Sequence, residues 1–277
     1  MVRTVLIVHA HGSETSFNSA LKRVAVETLT GCGHDVIVSD LYAMNFDPVF
    51  GREDVKETTE TTAHNSLSEN GRVAWIKDDV ADDVKTEQDK IRRADLIIFQ
   101  FPLYWMGLPA ILKGWFDRTF TEPFAFTDKE FYDNGKLKGK RAMFSITTGA
   151  PKDSFTTYGP HGDINILLWP LQSGILRFVG LEVLAPFISY SPQFIPHEGR
   201  AKILKQWADR MVNVFRERPL RFLPISKFSS KDPENPINGM ELTAESIREL
   251  QEDDEHGLTI GHHLGRRLPL NSMTRNS

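Results

Sequence analysis

The stretch LIIFQF, from Leu96 to Phe101, is apolar at every position but Gln100. A strand with one wet face would alternate, so this run must be covered on both faces. Val5 to Val8, VLIV, has the same character. HDVIVSDLY, RAMFSITTG and LEVLAPFISY supply three further strands. Helical spacing fills the gaps. Ala20, Leu21, Val24, Ala25 and Leu29 precede Gly31 and Gly33, and Asp83 to Arg93, Leu108 to Phe120, Ile164 to Gly180 and Gly199 to Arg218 follow. Strands and helices in alternation predict an α/β chain whose parallel sheet is doubly wound, with helices on both faces.

Five strands suit the flavodoxin-like order of such sheets. With 277 residues, 40% of them hydrophobic, the chain can form one large domain, or one domain with an appendage. Residues 1–220 hold the alternating pattern. From Arg221 the texture changes to RFLPISKFSSKDPENPINGM, rich in Pro, Ser and Asn. Residues 221–277 are expected to be a C-terminal extension, too poor in apolar residues to fold alone and so draped over this domain or a partner. Within it, ELTAESIRELQEDDEHG reads as an acidic helix capped at Thr243. A single cysteine, Cys32, excludes an intrachain disulfide and a zinc site needing two thiolates. The adjacent histidines of IGHH point apart and lack a companion ligand, so no metal is expected. A net charge of −4 gives no reason to expect nucleic acid or an anionic membrane as partner. Neither a signal peptide nor a spanning run is visible, so a soluble, cytoplasmic protein is expected.

Open α/β sheets bind ligands beyond the carboxyl ends of their strands. Three such ends are informative. HAHGSETSFNSA carries neither GxGxxG nor GxxxxGK[ST], which excludes the dinucleotide-binding and nucleoside-triphosphatase loops. Its Ser13, Thr15, Ser16 and Asn18 crowd a helix N-terminus and suit a phosphate, or serve as simple caps at Ser16 or Asn18. FPLYWMG sets Tyr104 and Trp105 in a loop stiffened by proline, either as a wall for a planar ring or as a plug in the core. TTGAP offers the hydroxyls of Thr147 and Thr148 beside Gly149, and GPHGD follows with His161, a residue that alone is equally at home in a structural role. All three at one end of one sheet favour a flavin pocket.

SDLYAMNFDP, ADLIIFQFPLYWMGLPAILKGWFDR, SITTGA, HGDINILLWPLQSGIL and GLTIGHHLG resemble the vertebrate NAD(P)H quinone dehydrogenases, or DT-diaphorases, from about Val5 to Leu264. The tail is similar to that of the longer branch, which uses NADH or NADPH. The resemblance implies a homodimer with tightly bound FAD. The FAD contacts it implies are His11, Thr15, Phe17, Asn18, Ala20, Pro102, Leu103, Tyr104, Trp105, Met106, Thr147, Thr148, Gly149, Ala150, Arg200 and Leu204. Trp105, Met106, Phe126, Asp128, Phe155, His161 and Phe178 match positions that line the pocket shared by nicotinamide and quinone. The implied reaction is ping-pong: a hydride passes from NAD(P)H to FAD, and then to a quinone, giving a hydroquinone. Gly149, Phe155 and His161 match the positions nearest the chemistry, His161 facing the negative charge that develops on the flavin.

The chain departs from the family pattern at its substrate mouth. Phe155 stands where a tyrosine is usual, Ala150 replaces a glycine, Asp128 replaces a tyrosine, Ser66 stands for a glutamine near the adenine, and Asp232 and Pro236 fall near two phenylalanines of the rim. These changes motivate a second reading, a flavin-stabilised binding or regulatory protein with little turnover. A one-electron carrier is a third.

Overall fold

The computed structural model describes residues 1–51, 54, 80–156, 158–232 and 239–246. Ser66, Pro236, the GLTIGHHLG segment and most of the expected acidic helix lie outside the described residues. The order is β1 Thr4–His9, α1 Phe17–Gly31, β2 Asp35–Asp40, α2 Asp82–Arg93, β3 Leu96–Pro102, α3 Ala110–Thr119, β4 Arg141–Thr148, α4 Ile164–Leu171, β5 Glu182–Val183, β6 Phe187–Tyr190 and α5 His197–Asn213. All main-sheet pairings are parallel, and the order is β2-β1-β3-β4-β5, with β6 also on β4. This is the doubly wound, flavodoxin-like sheet expected from the alternation.

The strand pleat sorts the core into two layers. Val5, Ile7, Leu96, Ile98 and Met143 face one side, with Leu21, Ala25 and Leu29 of α1 and Trp207 and Met211 of α5. Leu6, Val8, Ile97, Phe99, Phe101 and Phe144 face the other, with Leu112, Trp115 and Phe116 of α3. All seven residues of β3 are buried, as a continuous apolar run demands. In each layer an indole N–H ties two helices together. Trp207 donates to the Leu21 carbonyl at 3.0 Å and Trp115 to Glu87 at 2.9 Å.

Three boundaries differ from expectation. LEVLAPFISY is two short strands, because Pro186 has no N–H to give the ladder and the chain steps out between β5 and β6. The helix expected over 164–180 is α-helical only to Leu171. It contains Pro170, which removes a hydrogen bond to the preceding turn, and it continues as a π-helical stretch over Gln172–Arg177. The last helix starts at His197, two residues earlier than its apolar spacing suggests, and ends in a 3₁₀ turn at Val214–Arg216.

The first part of the extension lies against the domain. Leu223 is buried, the Ile225 N–H donates to Asp133 at 2.6 Å, and a two-residue pair joins β7 Phe228–Ser229 to β8 Glu241–Leu242. The Thr243 hydroxyl accepts from the Ser246 N–H at 3.0 Å, a capping contact where one was expected. Among the described residues no helix is long and apolar enough to cross a membrane.

Candidate active site

A cleft of about 840 Å³ opens beyond the carboxyl ends of β1, β3 and β4. From the first loop it takes His11, Thr15, Phe17, Asn18 and Ala20, from the second Pro102, Leu103 and Tyr104, and from the third Thr147, Thr148 and Gly149. Arg200 and Leu204 reach it from α5. The structure thus brings most of the expected cofactor contacts round one space.

The first loop is pinned by a hydroxyl chain. Ser16 caps α1, its Oγ accepting from the Ser19 N–H at 3.1 Å, while Ser19 Oγ donates to the Ser13 carbonyl at 2.8 Å. The Ser19 proton being so used, the contact of 3.1 Å between His9 Nε2 and Ser19 Oγ is a donation from the imidazole. His9 Nδ1 then faces no partner, and His9 is fully buried. A charged ring would add a donor with no acceptor, and its pKa is lowered to about 4, first by burial and next by Lys22. The N–H groups of Phe17 and Asn18 lie in the first turn of α1 and have no partner inside the helix.

Asn18 does not cap the helix. Its amide donates to Thr147 Oγ1 at 2.8 Å and its carbonyl accepts from Gln100 at 2.8 Å, so one buried side chain links the ends of β3 and β4 to α1. Thr147 accepts from Asn18 and keeps its own proton free to donate. Thr148 donates to the Ala150 carbonyl at 2.7 Å, and Gln193 donates to the Gly149 carbonyl at 3.0 Å. The N–H groups of Gly149 and Ala150 have no acceptor among the described residues. A cleft lined by unpaired N–H groups, hydroxyls and a cation fits the phosphates and ring edge of a flavin nucleotide.

The second loop decides between wall and plug. Tyr104 and Gly107 exchange both backbone hydrogen bonds, at 3.1 and 2.9 Å, across a two-residue turn. Its central residues, Trp105 and Met106, have φ of 48° and 60°. A turn of this hand normally takes Asn or Gly, and bulky residues there are strained. Trp105 is 102% exposed, so it plugs nothing in the core. Strain and full exposure of an indole together mark a surface held for a ligand or partner.

Other expected residues lie apart. Phe126 and Phe178 meet edge to face at 5.2 Å and line a second cavity, of about 440 Å³, with Phe50, Phe116 and Phe120. Trp105, Met106 and Ala150 do not line the cleft, and Asp128 is exposed on a loop beyond both cavities. Phe155 is 2% exposed and supports the exposed His161 ring, 5.0 Å away. The His161 N–H is fixed by the Ser154 carbonyl at 2.9 Å. Beneath them the Tyr190 phenol is pushed up to about 12, chiefly by burial and then by Asp163.

Ser16, read from the sequence as suiting a phosphate or as a cap, lies on the cleft wall, whereas sequence reasoning missed Arg23, Pro192, Gln193, His197 and Ala201 there. His197, Arg200, Ala201 and Leu204 form one helical face at spacings of three and four, a signal hidden by starting α5 at Gly199.

The comparisons agree with this geometry. The model of the flavodoxin-like fold family matches residues 3–214. The chain is 42% identical over 274 residues to NAD(P)H dehydrogenase [quinone] 1 of Cavia porcellus, covering 99% of this chain and 98% of that protein. It is 44% identical to human ribosyldihydronicotinamide dehydrogenase [quinone] over 218 residues, 79% of this chain and 94% of that one. Among solved structures, a candidate quinone reductase from Klebsiella pneumoniae superposes with a TM-score of 0.77 at 32% identity, covering 88% of this chain and 95% of that one.

Proposed function

The chain belongs to the flavodoxin-like fold family and, within it, to the NAD(P)H quinone dehydrogenases, and we propose that it oxidises NADH or NADPH and reduces quinones through a bound FAD. The observation that carries this reading is the meeting, at one end of the sheet, of a donor-lined cleft and a strained turn that exposes Trp105. When bound, the flavin supplies two-electron transfer between a dihydronicotinamide and a quinone.

The residues divide the work. Thr15, Ser16 and the free N–H groups at the start of α1 hold phosphate. Arg200 and Leu204 anchor the adenosine end, which favours FAD over FMN. Thr147, Thr148 and the Gly149 and Ala150 N–H groups orient the ring edge, and Trp105 and Met106 give it a wall. His161 donates to the negative charge that builds up on the ring. Phe155, buried under it, supplies packing and no hydroxyl.

The substrate pocket is a property of two copies. Phe126 and Phe178 line a cavity of their own, away from Trp105 within one chain. In the homodimer this aromatic wall faces the Trp105 turn of the second copy and closes the pocket for nicotinamide and quinone. In this reading residues 1–220 are the catalytic domain and residues 221–277 an extension that serves the pocket rim or the dimer partner. The enzyme works in the cytosol, without a nucleic acid or membrane partner. Two measurements test the proposal. Purified protein should catalyse NADPH-dependent quinone reduction, and heat should release FAD from it. Release of FMN alone, or no turnover by flavin-loaded protein, contradicts it.

A further inference from the structure

The Arg177 guanidinium is 6% exposed and lies between two aromatic rings, 4.7 Å from Tyr132 and 5.3 Å from Phe222. Stacking of this kind holds the fork flat and leaves its N–H edge for a ligand. Nη2 donates to the Leu223 carbonyl. The nearest carboxylate is Asp133, 3.6 Å from Nη2, an ion-pair contact longer than a hydrogen bond. Asp133 is 42% exposed, and its other oxygen accepts from the Ile225 N–H at 2.6 Å. Nε and Nη1 have no partner among the described residues. Burial, the largest influence, lowers the pKa of this guanidinium, and Asp133 and Tyr132 offset it only in part.

Arg177 lines a third cavity, of about 440 Å³. Lys138 and Arg221 add positive charge to its lining, and Glu182, the other acid beside Asp133, is 3.3 Å from Arg141. Lys138 is exposed and has no ion-pair partner among the described residues. Leu181, Val183, Leu220 and Pro224 make the rest of the wall apolar. None of these groups touches the flavin cleft.

We propose that this cavity binds a small organic anion, its carboxylate or phosphate head paired to Arg177 and Lys138 and its apolar body against Leu220 and Val183. A planar fork matches a two-oxygen edge, and Nε and Nη1 of Arg177 have no partner among the described residues while its one carboxylate, Asp133, pairs through Nη2.

The test uses the full chain saturated with FAD, so that the cleft at the strand ends is filled. Phenyl phosphate is titrated and followed by calorimetry and by thermal melting. The expected result is saturable binding with a Kd below about 1 mM, weakened roughly tenfold or more in Arg177→Gln and in Lys138→Glu. Lys138 is exposed, so Lys138→Glu keeps its fold and decides the matter should Arg177→Gln unfold. No saturation overturns the proposal, and so does binding that Lys138→Glu leaves unchanged, which would place the probe in another cavity.

Discussion

The Asn18 amide donates to the Thr147 hydroxyl at 2.8 Å across 129 residues of sequence. With the Gln100 contact on its other end, this side chain fixes how α1 sits over the ends of β3 and β4. Asn18→Ala leaves the Gln100 amide and the Thr147 hydroxyl buried without it. The expected cost is about 1–3 kcal/mol of stability by urea denaturation, with weaker flavin binding as the loops separate. Unchanged stability would mean that the three loops are held by other contacts.

Trp105 is fully exposed at positive φ, so its removal should spare the fold. Trp105→Ala should change apoprotein stability by less than about 0.5 kcal/mol while lowering flavin affinity roughly tenfold, the scale of a lost stacking contact. Met106→Gly should raise apoprotein stability by up to about 1 kcal/mol by relieving the turn. A loss of about 3–5 kcal/mol in Trp105→Ala, typical of a core aromatic, would restore the plug.

His9 makes stability depend on pH. Its folded pKa is about 4, below the ordinary 6.5, so the unfolded chain takes up the proton first as pH falls. Stability from this group is complete above about pH 6.5 and is lost progressively down to about pH 4. The slope is about 1.4 kcal/mol per pH unit in that window, roughly 3 kcal/mol in all. The Asp40 pKa is lowered from 3.8, so that group acts below this range. Urea denaturation of His9→Asn from pH 7 to 4 should show a flatter profile than the parent, and parallel profiles would contradict the assignment.

Much of this was legible in the sequence, for physical reasons that differ by element. β3 announced itself because burial on both faces demands an unbroken apolar run. α1 did so through its apolar spacing, yet Asn18 read as a cap because its true partners, Gln100 and Thr147, are distant in sequence. The Trp105–Met106 turn was not legible as a turn, since turns of that hand normally signal themselves by Asn or Gly. His197 was missed because a helix start under Pro196 has no side-chain cap to mark it. The separation of Phe126 and Phe178 from Trp105 depends on tertiary placement, to which local pattern is blind.

On the proposed reading His161 donates to the developing flavin charge, and Phe155, packed against it, has no hydroxyl to share the load. A hydrogen bond to a charged group contributes about 1.5–3 kcal/mol, so His161→Gln should slow flavin reduction roughly 10- to 100-fold. Phe155→Tyr should accelerate the same step, at some cost in stability if the new hydroxyl finds no partner. Stopped-flow absorbance of the flavin reads both. Equal rates in both variants and the parent would remove this loop from the chemistry.

The central claim is that this chain moves two electrons from NAD(P)H through a bound flavin to a quinone. Anaerobic mixing of the yellow protein with NADPH tests it most directly. The account predicts bleaching within seconds and full return of the yellow colour on adding a quinone, with no blue intermediate in either direction. Yellow colour that persists with NADPH and with NADH would contradict it and leave a flavin-stabilised binding protein, while a stable blue species would make the chain a one-electron carrier.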